Sequence, residues 1–425
     1  MERSNGCKVC VTGGAGYIGS LLVKKLLEKG YTVHATLRNL DDVSKVSLLR
    51  SLPDSDERLV LFEADFYNPV EFEKAIEGCE FVFHVATPLI HTPNSKRYKN
   101  TTEAAIAGVK SIAEACLHSG TIRRLIYTAS VAAASPLKED GSGFKDSMDE
   151  TCWTPLDLSF ACSNDFSKDY TDSKTLAEKE VLSYGNHNKR SGLEIVSLAC
   201  GLVGGSSLPP FTHSSVAVLV SQLTNSAMEY SCLRFLEELV GKIPIVHIDD
   251  VCDAHIFCME SPSMNGRFFC TRSYVSSAQI ASYYQQHYPE LEVKQECLDL
   301  PKRVIRWGST KLTEEGFVYK YDTKMILDDC ITCARKWDLE NGKHHRKLKL
   351  LLEKGYNVHA TLRNMGDASK VGLLKGLVPN GEHNRLRLFE ADIYSPIQFE
   401  PPIQGRKYVF HLATPLQHDP KNTRV

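Results

Sequence analysis

The sequence predicts an α/β fold: a doubly wound parallel sheet, a smaller lobe, and an incomplete α/β repeat at the C-terminus. Three observations predict it. Strand-like and helix-like segments alternate through the first third of the chain. A glycine-rich turn joins the first strand to the first helix. A phrase from that region, LLEKGYTVHATLRN at 26–39, returns at 351–364 as LLEKGYNVHATLRN, with Asn357 in place of Thr32.

The elements follow in order. KVCVTGG is a β-rich run that ends in glycines, and YIGSLLVKKLLEKG has helical apolar spacing up to Gly30. YTVHATL and RLVLFEAD read as the second and third strands. Asn68 as N-cap and Pro69 at the first helical position predict a helix through about Ile76. FVFHVA is a fourth strand, a helix spans about 100–119, and RRLIYTAS is a fifth strand. From about 135 a polar stretch rich in Gly, Ser and Pro reads as a long ordered loop. DYTDSKTLAEKEVLSYG is then a helix and LEIVSLACGLVGG another strand. The expected organisation is a nucleotide-binding domain over 7–200 and a substrate-binding lobe over 201–341 with some returns to the main sheet. A basic linker, GKHHRKLK at 342–349, precedes the truncated repeat at 350–425.

Bulk composition excludes several classes. Fifty basic residues against 52 acidic ones leave no basic stripe for nucleic acid. No apolar run approaches the length of a membrane span, and MERSNGCK lacks a signal peptide's apolar core. The 14 cysteines are scattered, so reduced thiols in a cytoplasmic protein are expected; a monomer is expected as well. Neither Cys7 with Cys10 nor Cys330 with Cys333 has a second pair at zinc-site spacing, so no metal is expected.

VTGGAGYIGS carries Gly13, Gly16 and Gly19 at three-residue steps, and Gly14, Gly16 and Gly19 as G-x-G-x-x-G. Strand before and helix after make this the context of a dinucleotide loop, and the fold Rossmann-type. A pyrophosphate must approach backbone N–H groups closely, and a helix N-terminus favours its charge. Tyr17 and Ile18 stand in the same loop. The second strand ends in ATLRN without the acid that would hold an NAD ribose; Arg38 takes the adjacent place and Lys45 follows. A guanidinium suits a 2′-phosphate, so NADPH/NADP is the expected cofactor. Asp65 ends the third strand, placed either to accept from the adenine amino group or simply to face solvent.

Tyr170 and Lys174 stand at i and i+4 on the predicted helix, and Ser130 ends the fifth strand at the sheet's carboxyl edge. A phenol titrates near 10; a neighbouring ammonium and an oxidised cofactor would favour the phenolate. Tyr170 could then protonate a carbonyl oxygen as hydride arrives, with Ser130 holding that oxygen and Lys174 reaching the cofactor ribose. Trp153, Phe160, Phe166, Phe211, Met228 and Tyr230 are candidate aromatics for a planar substrate. His247, Asp249 and Asp250 in HIDD read as structural hydrogen bonding.

Together TGGAGYIG, Ser130 and YTDSK resemble the extended short-chain dehydrogenases/reductases. More narrowly, HATLRN, FHVATP, YTDSKTLAEKE and IPIVHIDDVCDAHIF resemble the plant dihydroflavonol 4-reductase and anthocyanidin reductase group over roughly 7–335. The resemblance implies an NADPH-dependent reductase of a flavonoid-like aromatic carbonyl with Ser130, Tyr170 and Lys174 as its triad. It implies Arg38 and Lys45 at the 2′-phosphate, Asp65 near adenine, and Val85, Ala86 and Thr87 along the cofactor. Tyr170 and Lys174 would contact the nicotinamide ribose, with Cys200, Gly201, Leu202 and Val203 beside the nicotinamide. Dihydroflavonol reductases usually place Asn or Asp five residues after the serine; this chain has Ser135, after an alanine run more like anthocyanidin reductases. The competing readings are a nucleotide-sugar epimerase or dehydratase, against which Arg38 speaks, and a non-catalytic NADPH-binding regulator, against which the complete triad speaks.

The repeat extends beyond the first phrase. RLVLFEAD at 58–65 returns as RLRLFEAD at 385–392, and FVFHVATPL at 81–89 as YVFHLATPL at 408–416. Arg363, Lys370 and Asp392 match Arg38, Lys45 and Asp65. Nothing like TGGAGYIG precedes the copy, and it holds no counterpart of the triad. It is therefore expected to bind no cofactor, with Pro401 and Pro402 interrupting its last helix.

Overall fold

In the computed structural model of the chain, the described residues are 6–65, 67–88, 98–138, 142–158, 160–187, 192–224, 226–293, 305–336, 348, 351–352, 354–366, 368–378, 383–392 and 395–410. The chain divides into two compact units, Met1–Ala334 and Arg335–Val425.

The first unit is built on a seven-stranded sheet. Its strands are β1 (Lys8–Thr12), β2 (Thr32–Leu37), β3 (Leu59–Glu63), β4 (Phe81–His84), β5 (Arg124–Ser130), β7 (Glu194–Cys200) and β10 (Gly266–Cys270). A two-residue β6 (Ser147–Met148) lies in the long loop after β5. The sheet order is β10-β7-β5-β4-β1-β2-β3, and every pairing is parallel. The order reverses between β1 and β4, which opens a crevice at their carboxyl ends. Val9, Val11, Val33, Ala35, Val82, Phe83, Leu125 and Ile126 are completely buried, as strands covered on both faces must be.

One predicted strand divides in two. LEIVSLACGLVGG forms β7 and then β8 (Leu202–Gly204), which leaves the main sheet to pair with β9 (Ile243–His247). Gly201 makes the change of sheet: a Cβ there would stand 2.7 Å from the Pro244 carbonyl oxygen. β9 also pairs with the antiparallel β11 (Ser273–Val275), while β12 (Arg306–Trp307) pairs with β6. The predicted helix after Asn68 is a 3-10 turn, Pro69–Glu71, followed by Phe72–Ile76. Asn68 does not cap it as an acceptor; its side-chain amide donates to Glu71 at 2.6 Å. HIDD is structural: His247 caps the helix Ile248–Glu260, and Asp250 accepts from the backbone of Lys320 and Tyr321.

The second unit carries β13 (Val358–Leu362) and β14 (Leu386–Glu390), paired in parallel. Its register repeats that of β2 and β3: Val358 faces Leu386 as Val33 faces Leu59. Leu348, Leu352, Leu374 and Val378 form its small core. Pro401 and Pro402, expected to interrupt the last helix, stand at the start of the single turn Glu400–Ile403, where backbone N–H groups have no intrahelical partner. The 342–349 linker lies outside the described residues apart from Leu348, as do 411–416 of the third repeated phrase.

Each unit holds its own apolar core. A chain ending at Asn341 is therefore expected to keep the main cooperative unfolding transition of the full chain. Scanning calorimetry checks this, and a markedly lower transition temperature for the shorter chain would contradict it.

Candidate active site

Strand ends on both sides of the crevice converge on one cavity of about 770 Å³. Its walls include the catalytic and cofactor-binding residues expected from the sequence: Gly13, Gly16, Tyr17, Ile18, Gly19, Arg38, Lys45, Asp65, Val85, Ala86, Thr87, Ser130, Tyr170, Lys174, Cys200, Gly201, Leu202 and Val203.

The glycine loop has no room for side chains. Gly13 sits at φ +67, where a Cβ would come 2.8 Å from the Ala86 Cβ. A Cβ on Gly19 would run into the Gly13 carbonyl oxygen. The helix Tyr17–Glu28 starts at Gly16 without any side-chain cap, so its first N–H groups are available to an anion. This geometry suits a dinucleotide pyrophosphate. Tyr17 adds a tie the sequence did not reveal: its hydroxyl donates to Gly205 O at 2.9 Å, and its ring stacks on His213 at 4.7 Å. The loop is thereby fastened to the segment after β8.

At the far side, β2 ends in exposed Arg38, whose Nε lies 3.8 Å from Asp65 Oδ2. Lys45 is also exposed and pairs with Asp42 at 2.8 Å. Two cations with open faces border the cavity where an NAD-type fold would carry an acid. Asp65 is partly committed to its own turn, accepting from Tyr67 N at 3.1 Å.

Two buried hydroxyl–histidine pairs hold the strand ends behind the wall. Thr12 Oγ1 accepts from the backbone N–H groups of Val85 and Ala86, both at 3.1 Å, and lies 3.0 Å from His84 Nδ1. Burial lowers His84 to about 3, so its ring is neutral. Thr128 Oγ1 bonds His255 Nε2 at 2.7 Å, and His255 is likewise held down to about 4 by burial.

Lys174 reaches the end of one of these strands. Its ammonium donates to Thr87 Oγ1 at 2.8 Å and to Thr128 O at 3.2 Å, leaving a third N–H to spare. Burial lowers its pKa to about 8. Tyr170 is one helical turn earlier on Asp165–His187 and faces the cavity. Burial raises its pKa above the usual phenol value, opposed by a hydrogen bond from Ser130. The expected lowering by the neighbouring ammonium is not what dominates; desolvation wins, and the phenol holds its proton at neutral pH.

The substrate end is more apolar than the sequence indicated. Phe166 and Phe211 line it as expected, joined by Val218, Phe235 and Leu236. Phe235 and Leu236 stand on the helix Ala227–Val240. The other expected aromatics are elsewhere. Trp153 lies under the Arg267 guanidinium at 3.8 Å, Phe160 packs edge-on to Phe235, Met228 is exposed, and Tyr230 is not among the lining residues. Ser135 is buried and donates to Leu239 O at 2.8 Å, so it plays no part in the wall. Among the described residues no cluster of metal ligands occurs, and no helix is long and apolar enough to cross a membrane.

Comparison with known proteins agrees with this geometry. Residues 9–268 match the NAD dependent epimerase/dehydratase family, and the chain belongs to it. Anthocyanidin reductase ((2S)-flavan-3-ol-forming) of Vitis vinifera is 36% identical over 323 residues, which is 76% of this chain and 93% of the relative. Dihydroflavonol 4-reductase of Zea mays is 36% identical over 351 residues, covering 80% and 92%. The crystal structure of vestitone reductase from alfalfa, Medicago sativa, superposes with a TM-score of 0.62 at 33% identity, over 77% of this chain and 98% of that one.

The glycine cradle yields a direct test. Gly13→Val must place a β-branched residue at positive φ and against Ala86, with strain of about 1–3 kcal/mol. Dinucleotide binding, followed by fluorescence titration, is expected to weaken by about tenfold or more on that strain. Unchanged affinity in a folded variant would show that the loop is not the cradle.

Proposed function

We propose that the chain is an NADPH-dependent reductase that transfers hydride to a flavonoid-like or related aromatic carbonyl, of the dihydroflavonol or anthocyanidin type. The observation that carries this reading is a single cavity joining three features: a side-chain-free glycine loop with Arg38 and Lys45 beyond it, the Ser130–Tyr170–Lys174 cluster, and an apolar aromatic wall. The relatives named for reduction of flavonoids supply the substrate class.

NADPH, when bound, supplies the hydride. The chain's residues supply the rest. The N–H groups at the start of Tyr17–Glu28 receive the pyrophosphate, and Arg38 and Lys45 receive the 2′-phosphate. Val85, Ala86 and Thr87, with Cys200 to Val203, line the cavity where the cofactor would lie. Lys174 offers its third N–H to the ribose hydroxyls. Tyr170 donates its phenolic proton to the carbonyl oxygen, which Ser130 holds by a hydrogen bond; the carbon gains hydride, the oxygen gains a proton, and the product is an alcohol. Phe166, Phe211 and Phe235 enclose a flat ring and keep water from the reacting centre.

The deciding experiment measures NADPH consumption with dihydroflavonols, anthocyanidins and simple aromatic aldehydes, with product identification. Turnover confined to non-aromatic carbonyls would remove the substrate assignment. Arg38→Ala is expected to weaken NADPH binding by about 1–3 kcal/mol, the range for a charged hydrogen bond, and to spare NADH. Equal losses for both dinucleotides in a titration would contradict the 2′-phosphate role.

Lys174 also sets a pH dependence. Its pKa of about 8 means that the ammonium persists below that pH and is lost above it. Tyr170 stays protonated there, because burial raises it above the usual phenol value. The logarithm of kcat/KM is expected to fall with unit slope above about pH 8. A flat profile up to pH values well above this would mean that the charge on Lys174 is not needed.

A further inference from the structure

We propose that Glu178 and Arg267 form a positioning pair that fixes Tyr170 and Lys174 against Ser130; this inference rests on the reductase reading above. Neither residue lines the cavity. Tyr170, Lys174 and Glu178 follow one another at four-residue steps on Asp165–His187, so they share one stripe of the helix. The first two meet the cavity, and the third is gripped behind it.

The grip is complete on both sides. Glu178 is fully buried, and its Oε1 accepts from Ser197 Oγ on β7 at 2.6 Å. Arg267, near the start of β10, meets it as a fork: Nε to Oε1 at 2.9 Å and Nη2 to Oε2 at 2.9 Å. The remaining donors of Arg267 go to three backbone carbonyls. Nη1 donates to Glu150 O at 3.1 Å and Cys152 O at 2.5 Å, and Nη2 donates to Ala133 O at 3.1 Å. All five guanidinium N–H groups are thus used. The plane of the guanidinium rests 3.8 Å from the Trp153 ring.

Those carbonyls belong to the segment that places Ser130. The single turn Val131–Ala133 follows Ser130 directly, and Ala133 O also accepts from Thr154 N at 3.1 Å. One side chain therefore joins the helix of Tyr170 and Lys174, the turn that follows Ser130, and the loop at 150–153. A buried ion pair is costly to desolvate and can often be exchanged for apolar packing without loss of stability. A planar, bidentate fork sets angle and register in a way that apolar contacts do not. Relaxing that register by even an ångström would misplace the proton donor relative to the carbonyl oxygen.

The test compares Arg267→Lys, which keeps charge and loses the fork, with the double variant Glu178→Met/Arg267→Met, which keeps volume and leaves no unpaired charge. Unfolding temperature, NADPH affinity by fluorescence titration, and steady-state reduction of dihydroquercetin or, where the wild type prefers it, an aromatic aldehyde are measured for each. Tyr170→Phe runs beside them. The expected result is a folded double variant with NADPH Kd and substrate KM within about threefold of wild type and kcat lowered about tenfold or more, the scale of a misplaced reacting group. Arg267→Lys is expected not to rescue kcat. A folded double variant with kcat within about threefold of wild type overturns the proposal. So does failure of both variants to fold, since the pair would then hold the fold and not the site. If the wild type reduces none of the carbonyls offered, the reductase reading fails instead; if Tyr170→Phe keeps its rate, the proton-donor role of Tyr170 fails; if it is inactive while the pair variants are not, only the positioning role fails.

Discussion

The pairing of β1 with β2 on one side and β4 on the other is the constraint on which the rest depends. β1 is the strand at which the sheet order reverses, so the loops leaving its two neighbours diverge and leave a crevice. The register delivers the parts to that crevice. Thr12 lies beside His84, and Ser130 lies beside Cys200. Gly13 follows β1, Arg38 follows β2, Val85 follows β4, and Ser130 closes β5. The glycine loop is then not an isolated motif but the continuation of the central strand, pressed against Ala86 from its neighbour.

Electrostatics in the crevice are governed by burial more than by charge pairing. His84 and His255 are both pushed well below the usual imidazole range, so neither adds charge beneath Lys174. They satisfy the hydroxyls of Thr12 and Thr128 instead. Lys174 donates to Thr87 and Thr128, and the lowering of its pKa by burial is opposed by Cys200 and Glu178. The result is one buried, hydrogen-bonded cation beside a phenol that retains its proton. Such a pair is suited to giving a proton away, which is the direction a reductase needs.

Local signals made much of this legible in the sequence. The glycine loop, the strand-end arginine and the i, i+4 tyrosine and lysine are each short patterns whose meaning needs only a neighbouring strand or helix. What the sequence did not disclose is non-local. The cavity wall formed by Val218, Phe235 and Leu236 depends on how the smaller lobe folds back, and Trp153 went to a cation instead of the cavity. The split of LEIVSLACGLVGG at Gly201 depends on Pro244, more than forty residues away in sequence. The hold of Arg267 on Glu178 crosses 89 positions. Glu178 did leave one trace: it continues the Tyr170–Lys174 stripe by another four residues.

The repeated segment separates the local code from the non-local one within a single molecule. Contacts that need only β2, β3 and their connections are reproduced. His34 meets Ala75 O at 2.9 Å, and His359 meets Pro402 O at 3.0 Å. Glu63 accepts from Leu40 N, and Glu390 accepts from Met365 N. Arg363 reaches Asp392 at 2.9 Å as Arg38 approaches Asp65. Contacts that need β1 are not. Val33 and Ala35 are wholly buried, whereas their counterparts Val358 and Ala360 are only partly covered. Phe81 to Phe83 form a strand between β1 and β5, whereas Tyr408, Val409 and Phe410 are exposed and take no strand form. In the first unit, β4 is bonded to β1 and β5 and never to β2, so a copy of β2 and β3 gives a copy of β4 nothing to join. Sequence identity in the repeat thus carries over a βαβ fragment and its surface ion pair. The glycine cradle and the strand opposite it belong with β1, and among the described residues of the second unit neither has a counterpart.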